Sequence, residues 1–311
     1  MKKALLLLLV FCLLCPLFSS CGVNINLSNY IYNNEDQYSV GGATVNDTVK
    51  NIEIDWISGD IDIKHYDGEG ISISEQSKKE ISENLTMRYC VEEDTLKIKF
   101  AASGKWNFNA LSKRLTILIP KGMELTDIEI DTVSSVVRAT EIECRDLTVD
   151  TVSAAVILDK CAIEDIDIET VSGIVRADVT EINHISIETV SGKATVKAKA
   201  INMLHSETVS GGIEITGDSL GRAYLETISG DVTINIPDNG GYTVTFDSTS
   251  GEISSDMPVK KNGNRYIIGD GTTDIKVETT SGDVNIVGIP TESTDSSDNN
   301  EALVSLGFYK D

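Results

Sequence analysis

The chain has 311 residues, of which 26 are basic and 49 acidic, so its formal net charge at pH 7 is −23. So acidic a surface disfavours nucleic acid, because basic contacts to phosphates supply most of that affinity, and anionic lipid headgroups repel it as well. Three of the six cysteines (Cys12, Cys15 and Cys21) lie in the first 21 residues. We therefore expect no disulfide framework in the folded part.

Residues 1–21 have the pattern of an export signal. Lys2 and Lys3 precede an apolar run that is shorter than the about twenty residues a membrane span needs. The segment ends in Leu-Phe-Ser-Ser-Cys at 17–21, which resembles the lipobox of bacterial lipoproteins, with Phe18 a less usual residue at its position. An ordinary cleaved signal peptide is one interpretation. The lipobox favours the other, an extracytoplasmic lipoprotein that is acylated at Cys21 and anchored to a bacterial membrane.

Composition divides the rest of the chain into three segments. Residues 22–50 are polar and rich in asparagine, which predicts a tether between the anchor and the folded part. Residues 51–288 are predicted to form one β-rich domain. Residues 289–311 include a run of Ser, Asp, Thr and Asn, which predicts an acidic flexible tail.

The stretch 128–241 repeats one pattern every nineteen residues, with its serines at 134, 153, 172, 191, 210 and 229. Within each repeat, β-branched residues alternate with polar ones, which is typical of strands. A fixed period this short marks a solenoid, whose coils bury their apolar residues only by stacking on each other. The sequence therefore predicts an all-β fold, a single-stranded parallel β-helix with 19-residue coils, right-handed as such connections usually are.

Both ends of this domain depart from the regular period. A coil of the same kind begins at Ile52, and 71–127 is predicted to be an atypical N-terminal section that caps the solenoid. After residue 230 the spacing loosens. Asn262-Gly263, between two strand-like runs, predicts an inserted hairpin over 257–274.

Stacked coils predict columns of equivalent residues. We expect the valine column, from Val133 to Ile228, to lie in the core. The threonine column, from Thr132 to Thr227, would then form a surface hydroxyl array like that of an ice-binding protein, although β-propensity explains it equally. Glycine follows the serine of the motif in four repeats, but Ser135 and Ala154 replace it in the first two. This indicates close approach at a corner rather than a positive φ.

An acidic column is the strongest candidate site. A solvated face explains it without any ligand. The functional interpretation is a calcium ladder formed by Glu169, Glu188 and Glu207, since calcium prefers carboxylate oxygens, although the calcium-binding repeats of other β-rolls are absent. The nine members of the column are Asp55, Asp131, Asp150, Glu169, Glu188, Glu207, Glu226, Asp247 and Glu278.

The histidines do not predict a metal centre. His65 stands apart, and we expect His184 and His205 to lie near one another on adjacent coils without a third ligand. The sequence holds no nucleophile triad, phosphate loop or dinucleotide motif. It therefore predicts no catalytic residue and no cofactor.

Several motifs together resemble a known family. They are Ile-Glu-Ile-Asp-Trp-Ile-Ser-Gly-Asp-Ile at 52–61, Asp-Thr-Leu-Lys-Ile at 94–98, Leu-Thr-Ile-Leu-Ile-Pro-Lys-Gly at 115–122, the reiterated Thr-Val-Ser-Gly and the lipobox. This set resembles the bacterial putative-adhesin family of single-stranded right-handed β-helix domains, also called toastrack domains, over about 45–287. The resemblance implies a cell-envelope protein. No catalytic residues are described for that family, so none carries over.

Three functions are compatible with these features. The first is a non-enzymatic envelope lipoprotein that binds or adheres to a surface protein or glycan. The second is an accessory interaction protein of an envelope-stress signalling system, also non-enzymatic. The third is a polysaccharide-active β-helix enzyme. Compact coils without the long loops that build clefts disfavour this third function.

Overall fold

The architecture is all-β. The computed structural model describes residues 31–105 and 111–290, which contain twenty strands and two short 3₁₀ helices, Glu35–Gln37 and Glu83–Leu85. The predicted signal segment with Cys21, residues 22–30 of the predicted tether and the tail from residue 291 lie outside the described residues. In the ranges that are described, no helix has the length and apolarity needed to cross a membrane.

Six successive strands stack in parallel with an offset of nineteen residues, which is interrupted at Cys161, where the partner is Val179. Ile166 pairs with Ile185, for example, and Ile185 with Leu204. This register confirms the predicted solenoid, a single-stranded parallel β-helix. The six strands are β8 (Leu125–Thr140), β9 (Glu143–Thr151), β10 (Val156–Thr170), β11 (Val175–Thr189), β12 (Ala194–Thr208) and β13 (Ile213–Thr227).

Apolar columns fill the interior of the rod. Ile168 and Ile187 are completely buried and belong to one such column. Ser206 continues it, and its buried hydroxyl has no hydrogen-bond partner among the described residues. Each fully buried aliphatic side chain stabilises the fold by roughly 1.5–3 kcal/mol relative to an exposed one. A second column, beyond the corner, consists of Val137, Val156, Val175, Ala194, Ile213 and Val232.

The threonine and valine columns are reversed relative to the sequence analysis. Each threonine from Thr132 to Thr227 is only 2–7 % exposed, whereas Val152 and Ile228 are 39 % and 36 % exposed. The reason is that side chains along a strand alternate between the two faces. Because Ile168 points inward, Thr170 also points inward and the following valine points outward. The predictions of a valine core column and of an exposed threonine array are therefore wrong.

The buried threonines close the corner of each coil. The Thr208 Oγ1 accepts a hydrogen bond from the backbone N–H of Gly211 at 2.9 Å, and Thr189 accepts from Gly192 at 3.1 Å. The motif serine lies outside this turn, where Ser210 Oγ donates to the Val190 carbonyl of the preceding coil at 3.3 Å. Hydrogen bonds of an inward-facing threonine hydroxyl and an outward-facing serine hydroxyl thus stabilise the bend.

The corner glycine is required because neighbouring backbones touch there. A Cβ on Gly192 would lie 1.6 Å from the carbonyl oxygen of Gly173, and a Cβ on Gly211 would lie 1.7 Å from that of Gly192. Neither glycine has a positive φ. Close approach is therefore the constraint, as the sequence analysis expected. Ser135 is accommodated because β8 runs through this corner as a continuous strand.

At the N-terminal end the order of the coils in space differs from their order in the sequence. Strand β3 (Asn51–Tyr66) pairs with β8 on one side, and with β6 (Thr95–Lys99) and β7 (Lys113–Pro120) on the other. The first coil in the sequence is therefore the second in space.

Antiparallel strands cover the exposed edge of the terminal coil. Strand β4 (Ile71–Ser77) pairs with β7, and β5 (Arg88–Glu92) pairs with β6. Two further strands add to them, β1 (Ser39–Val40) to β5 and β2 (Ala43–Val45) to β4. Part of the segment that was predicted to be a tether is thus packed here, because an uncovered edge would offer unpaired backbone groups.

A buried lysine organises the interior of this cap. The Lys113 side chain is fully buried, with its Nζ 2.7 Å from Glu75 Oε2 and 2.8 Å from the Leu85 carbonyl oxygen. The same Nζ lies 4.0 Å from the centre of the Phe100 ring and 4.8 Å from that of Trp56. Burial lowers the pKa of Lys113 to about 8, while Glu75 acts against this shift.

The C-terminal end is interleaved in the same way. Strand β19 (Thr273–Thr279) pairs with both β13 and β15 (Tyr242–Ser248). The last coil of the sequence is therefore the second to last along the rod. Strand β20 (Val284–Ile289) likewise lies between β14 (Val232–Pro237) and β16 (Ile253–Ser255). The hairpin of β17 (Val259–Asn262) and β18 (Arg265–Ile268) carries the chain back, with β18 antiparallel to β15.

Two adjacent glycines allow a direct test of the corner. Gly211→Ala should strongly destabilise the protein, by more than the about 1–3 kcal/mol typical of overpacking, because its Cβ has no room against the Gly192 backbone. Gly212→Ala is the matched control, since its Cβ would meet only the Asp231 carbonyl oxygen at 3.2 Å. Urea unfolding monitored by circular dichroism measures both. Equal destabilisation would contradict the close-approach explanation.

Candidate functional site

The nine predicted carboxylates form one continuous column on the outside of the rod. Their cross-strand register is unbroken from Asp55 at the N-terminal end to Asp247 at the C-terminal end. The only change from the sequence order is that Glu278 lies between Glu226 and Asp247, because the last coil is interleaved. At about 4.8 Å per coil, the acidic column extends over about 40 Å.

A second outward column runs parallel to the acidic column, two residues earlier in each coil. Together the two columns form what we call the acidic face. The second column is acidic in its N-terminal half and contains histidine, tyrosine and lysine in its C-terminal half. Its members, in spatial order, are Glu53, Glu129, Thr148, Asp167, Ser186, His205, Tyr224, Lys276 and Thr245.

Carboxylates in the middle of the acidic face are harder to ionise than isolated ones. Burial raises the pKa of Asp150 to about 6, and the carboxylates of Glu169 and Asp131 raise it further. Burial also raises the pKa of Glu169, and repulsion from the Glu188 carboxylate raises it further. The pKa of Glu188 is raised in the same way, by burial and by the Glu207 carboxylate. The column therefore stores electrostatic repulsion that a bound cation would relieve.

Two lysines terminate the acidic face at its N-terminal end. Lys99 Nζ contacts the carboxylate of Asp55 and lies 2.8 Å from Glu53 Oε1, and Lys97 Nζ lies 3.6 Å from Glu53 Oε2. Burial raises the pKa of Asp55 to about 6, although Lys99 opposes this. For Glu53 the two lysines outweigh burial and lower the pKa. This end of the face is therefore neutralised by the protein itself.

The predicted calcium ladder is assembled as a geometric feature. Glu169 pairs with Glu188, and Glu188 with Glu207, on successive coils. His184 and His205 lie on adjacent coils, but His184 faces Met203, and His205 faces Ser186. Instead of joining His184, His205 converges with Glu188 and Glu207, and the possible ligand atoms of these three residues lie within 4.8 Å of one another.

Sequence reasoning missed this convergence. The sequence analysis considered only whether two histidines would meet. The informative signal is that His205 stands two residues before Glu207, so both side chains lie on the same side of one strand. His205 Nε2 lies 3.0 Å from Glu207 Oε1. The His205 ring stacks on that of Tyr224, with centroids 5.1 Å apart and planes inclined by 8°.

The other candidate sites in the described residues are buried thiols and a shallow surface groove. Cys90, Cys144 and Cys161 are buried free thiols, and burial raises the pKa of Cys144 to about 12 and that of Cys161 to about 11. A surface groove of about 430 Å³ lies over a ladder in which Asn202 Nδ2 donates to Asn183 Oδ1 at 3.1 Å. Cys21, the predicted lipidation site, lies outside the described residues.

Fold and surface together define a class, that of single-stranded β-helix proteins with one strongly acidic sheet face. The chain belongs to the Toastrack DUF4097 family, whose model matches residues 49–287. This confirms the family resemblance that the motifs indicated. No curated protein matches the chain.

Solved structures resemble the chain at low sequence identity. A putative lipid binding protein from Parabacteroides distasonis is 15 % identical, with a TM-score of 0.50 over 80 % of this chain and 96 % of that chain. A putative adhesin from Bacteroides fragilis is 13 % identical, with a TM-score of 0.45 over 81 % and 97 %. Another putative adhesin, from Parabacteroides merdae, is 11 % identical, with a TM-score of 0.43 over 80 % and 96 %. At such identity the likeness concerns the fold alone.

The raised pKa of Asp150 predicts a pH-dependent effect on stability. Its folded-state pKa of about 6 exceeds the ordinary aspartate pKa of 3.8, so its contribution to stability is complete below the unfolded pKa and disappears as pH rises through the folded pKa. Asp150→Asn should therefore raise Tm at pH 7.5 and low salt by about 2–4 °C, the change expected for ~1 kcal/mol. Thermal melting between pH 4 and pH 8 measures this effect.

The control for this experiment is Asp218→Asn, which changes an exposed carboxylate outside the acidic column. The gain from Asp150→Asn should be much smaller at pH 4, because the carboxyl of the folded form is protonated there and that of the unfolded form, with a pKa of 3.8, is partly protonated. A gain that does not depend on pH, or that Asp218→Asn reproduces, would mean that repulsion in the column is not its source.

Proposed function

We propose that this protein is a non-enzymatic lipoprotein of the bacterial cell envelope, and that it binds a cationic partner on its acidic face. One observation carries the proposal. Nine carboxylates are stacked in a single column, and burial and mutual repulsion raise the pKa of several of them, among them Asp150, Glu169 and Glu188. A ligand with matching positive charges would remove this repulsion, so the unbound surface is arranged to gain from binding.

The flatness of this face supports binding rather than catalysis. Its side chains project from a regular sheet at about 4.8 Å spacing and do not surround a cleft. An extended chain with basic residues at repeated intervals, such as a basic segment of an envelope or surface protein, fits this geometry. Such a partner can belong to the cell's own envelope, as in stress signalling, or to another surface, as in adhesion.

The first described residues lie at the end of the rod where the acidic face begins. Tyr32, the second described residue, is fixed to the N-terminal cap, where its hydroxyl donates to the Ala101 carbonyl at 2.9 Å and its N–H donates to Ser103 Oγ at 3.0 Å. Eleven positions separate it from Cys21. An acylated Cys21 would hold this end near the bilayer and extend the rod away from the membrane.

Binding is tested with poly-L-lysine on a sensor surface at low ionic strength. The triple variant Glu169→Gln, Glu188→Gln, Glu207→Gln should bind about tenfold more weakly, with a shallower salt dependence, because it removes three adjacent charges. The matched control is Glu164→Gln, Glu181→Gln, Asp218→Asn, which removes the same charge from exposed positions outside the face. Equal weakening by both variants would show that net charge, and not the face, attracts the polymer.

Anchoring is tested by Cys21→Ala in the native host. The variant should leave the membrane fraction and lose incorporation of labelled fatty acid, because the proposed anchor is the acylated cysteine. Cys15→Ala is the control, since it removes a cysteine from the same segment without touching the lipobox. Cys21→Ala protein that stays in the membrane after a high-salt wash would contradict lipidation.

A further inference from the structure

We propose that Glu188, His205 and Glu207 form a binding site for a divalent transition-metal ion of the zinc type. This site goes beyond the proposed function and does not depend on it, because it requires only three side chains on two adjacent coils. Glu188 lies on β11, and the other two lie on β12. Their possible ligand atoms are all within 4.8 Å of one another.

The distances are close to those of a metal centre. Bonds of about 2.0–2.2 Å place two ligand atoms of a tetrahedral zinc ion roughly 3.3 Å apart. His205 Nε2 and Glu207 Oε1 are 3.0 Å apart, so this pair already has suitable spacing. Glu188 lies directly across from Glu207 in the parallel ladder. A change of its side-chain rotamer alone would bring its carboxylate to the common ion, because the two strands are fixed by the sheet.

The ligand types select the class of metal. Calcium and magnesium prefer oxygen ligands throughout, whereas an imidazole nitrogen with two carboxylates suits zinc and its neighbours among the divalent transition metals. Water would complete the coordination, since the side chains of His205 and Glu207 are 30 % and 25 % exposed. The histidine thereby separates this site from a calcium ladder, which would use Glu169 as readily as Glu207.

A second layer of contacts holds the imidazole in place. The Tyr224 ring stacks on His205 from the next coil, 5.1 Å away between centroids. The Tyr224 hydroxyl lies 2.9 Å from Glu226 Oε2 and 2.9 Å from Glu278 Oε2, and Lys276 Nζ lies 5.1 Å from the centre of the same ring. Because the stacked Tyr224 ring restricts the orientation of the imidazole, less side-chain freedom would be lost when a metal ion binds.

The ion would also act on the fold. Glu188 and Glu207 are like-charged neighbours on successive coils, and a shared divalent cation would convert their repulsion into a cross-link between β11 and β12. Metal binding should therefore stabilise the folded chain against heat, by an amount that grows with the ratio of the free metal concentration to Kd. A cation held only in the diffuse field of the acidic face would not require His205.

The test is titration of the purified full chain, in detergent and freed of metal by chelation, with ZnCl₂ against a chromophoric chelator. We expect one zinc ion per chain, and about tenfold weaker affinity for His205→Gln, Glu188→Gln and Glu207→Gln. At the same zinc concentration, Tm of the wild type should rise more than that of His205→Gln, because the variant binds zinc more weakly. Circular dichroism of each variant without metal checks that it is folded.

Two matched variants make the test specific. His184→Gln removes the histidine of the adjacent coil, and Glu169→Gln removes the next carboxylate of the acidic column; both should bind zinc as the wild type does. Absence of zinc binding by the folded wild type would overturn the proposal, as would unchanged affinity in His205→Gln. Calcium that binds more tightly than zinc, and is weakened equally by Glu169→Gln and Glu207→Gln, would replace this site with an acid-only ladder.

Discussion

Coil-on-coil register is the constraint on which this structure depends. Apart from a register shift at Cys161, the paired residues of the regular region stack on their counterparts nineteen positions away, at about 4.8 Å. Whatever suits one coil is therefore repeated against itself. Inside the rod, this stacking forms columns of aliphatic side chains, and the backbone groups of adjacent coils are paired in hydrogen bonds. Outside, the same rule places carboxylate above carboxylate, so the arrangement that stabilises the core also creates the repulsion on the acidic face.

The period of the sequence was sufficient to predict the coil length, the parallel stacking and the acidic column as far as Glu226, because these depend only on spacing. Asp247 and Glu278 break the period and were recognised by their place three residues before the serine of a Ser-Gly pair. The direction of side chains at the corner was not predicted correctly. An alternating pattern from Ile168 leads inward to Thr170, but the hydrophobicity of Val171 suggested the opposite. The Thr208 hydroxyl is stable inside because the Gly211 N–H satisfies it, and hydropathy alone does not contain that hydrogen bond.

The remaining differences arise where contacts are not periodic. The place of β19 between β13 and β15 depends on a hairpin that reverses the chain, and spacing in the sequence does not encode such a return. Lys113 likewise takes the corner position opposite Gly59, where Glu75 pairs with its Nζ and the Trp56 and Phe100 rings contact it. The convergence of His205 with two glutamates depends on side-chain direction across two strands. The Lys113 site and the His205 cluster have no counterpart in the neighbouring repeats, so the repeat pattern does not predict them.

The interleaved ends also affect how the rod can come apart. In most solenoids a terminal repeat contacts only one neighbour, so the array can fray from its ends inward. Here the outermost coil at each end is held through a coil that lies far from it in the sequence: β15 is separated from β13 by β19, and β6 and β7 from β8 by β3. Unfolding from either end must therefore disrupt contacts between distant parts of the chain together. A topology with so many contacts between distant parts of the chain should fold slowly, and an end coil can fray only if it also detaches from the coil that lies beneath it.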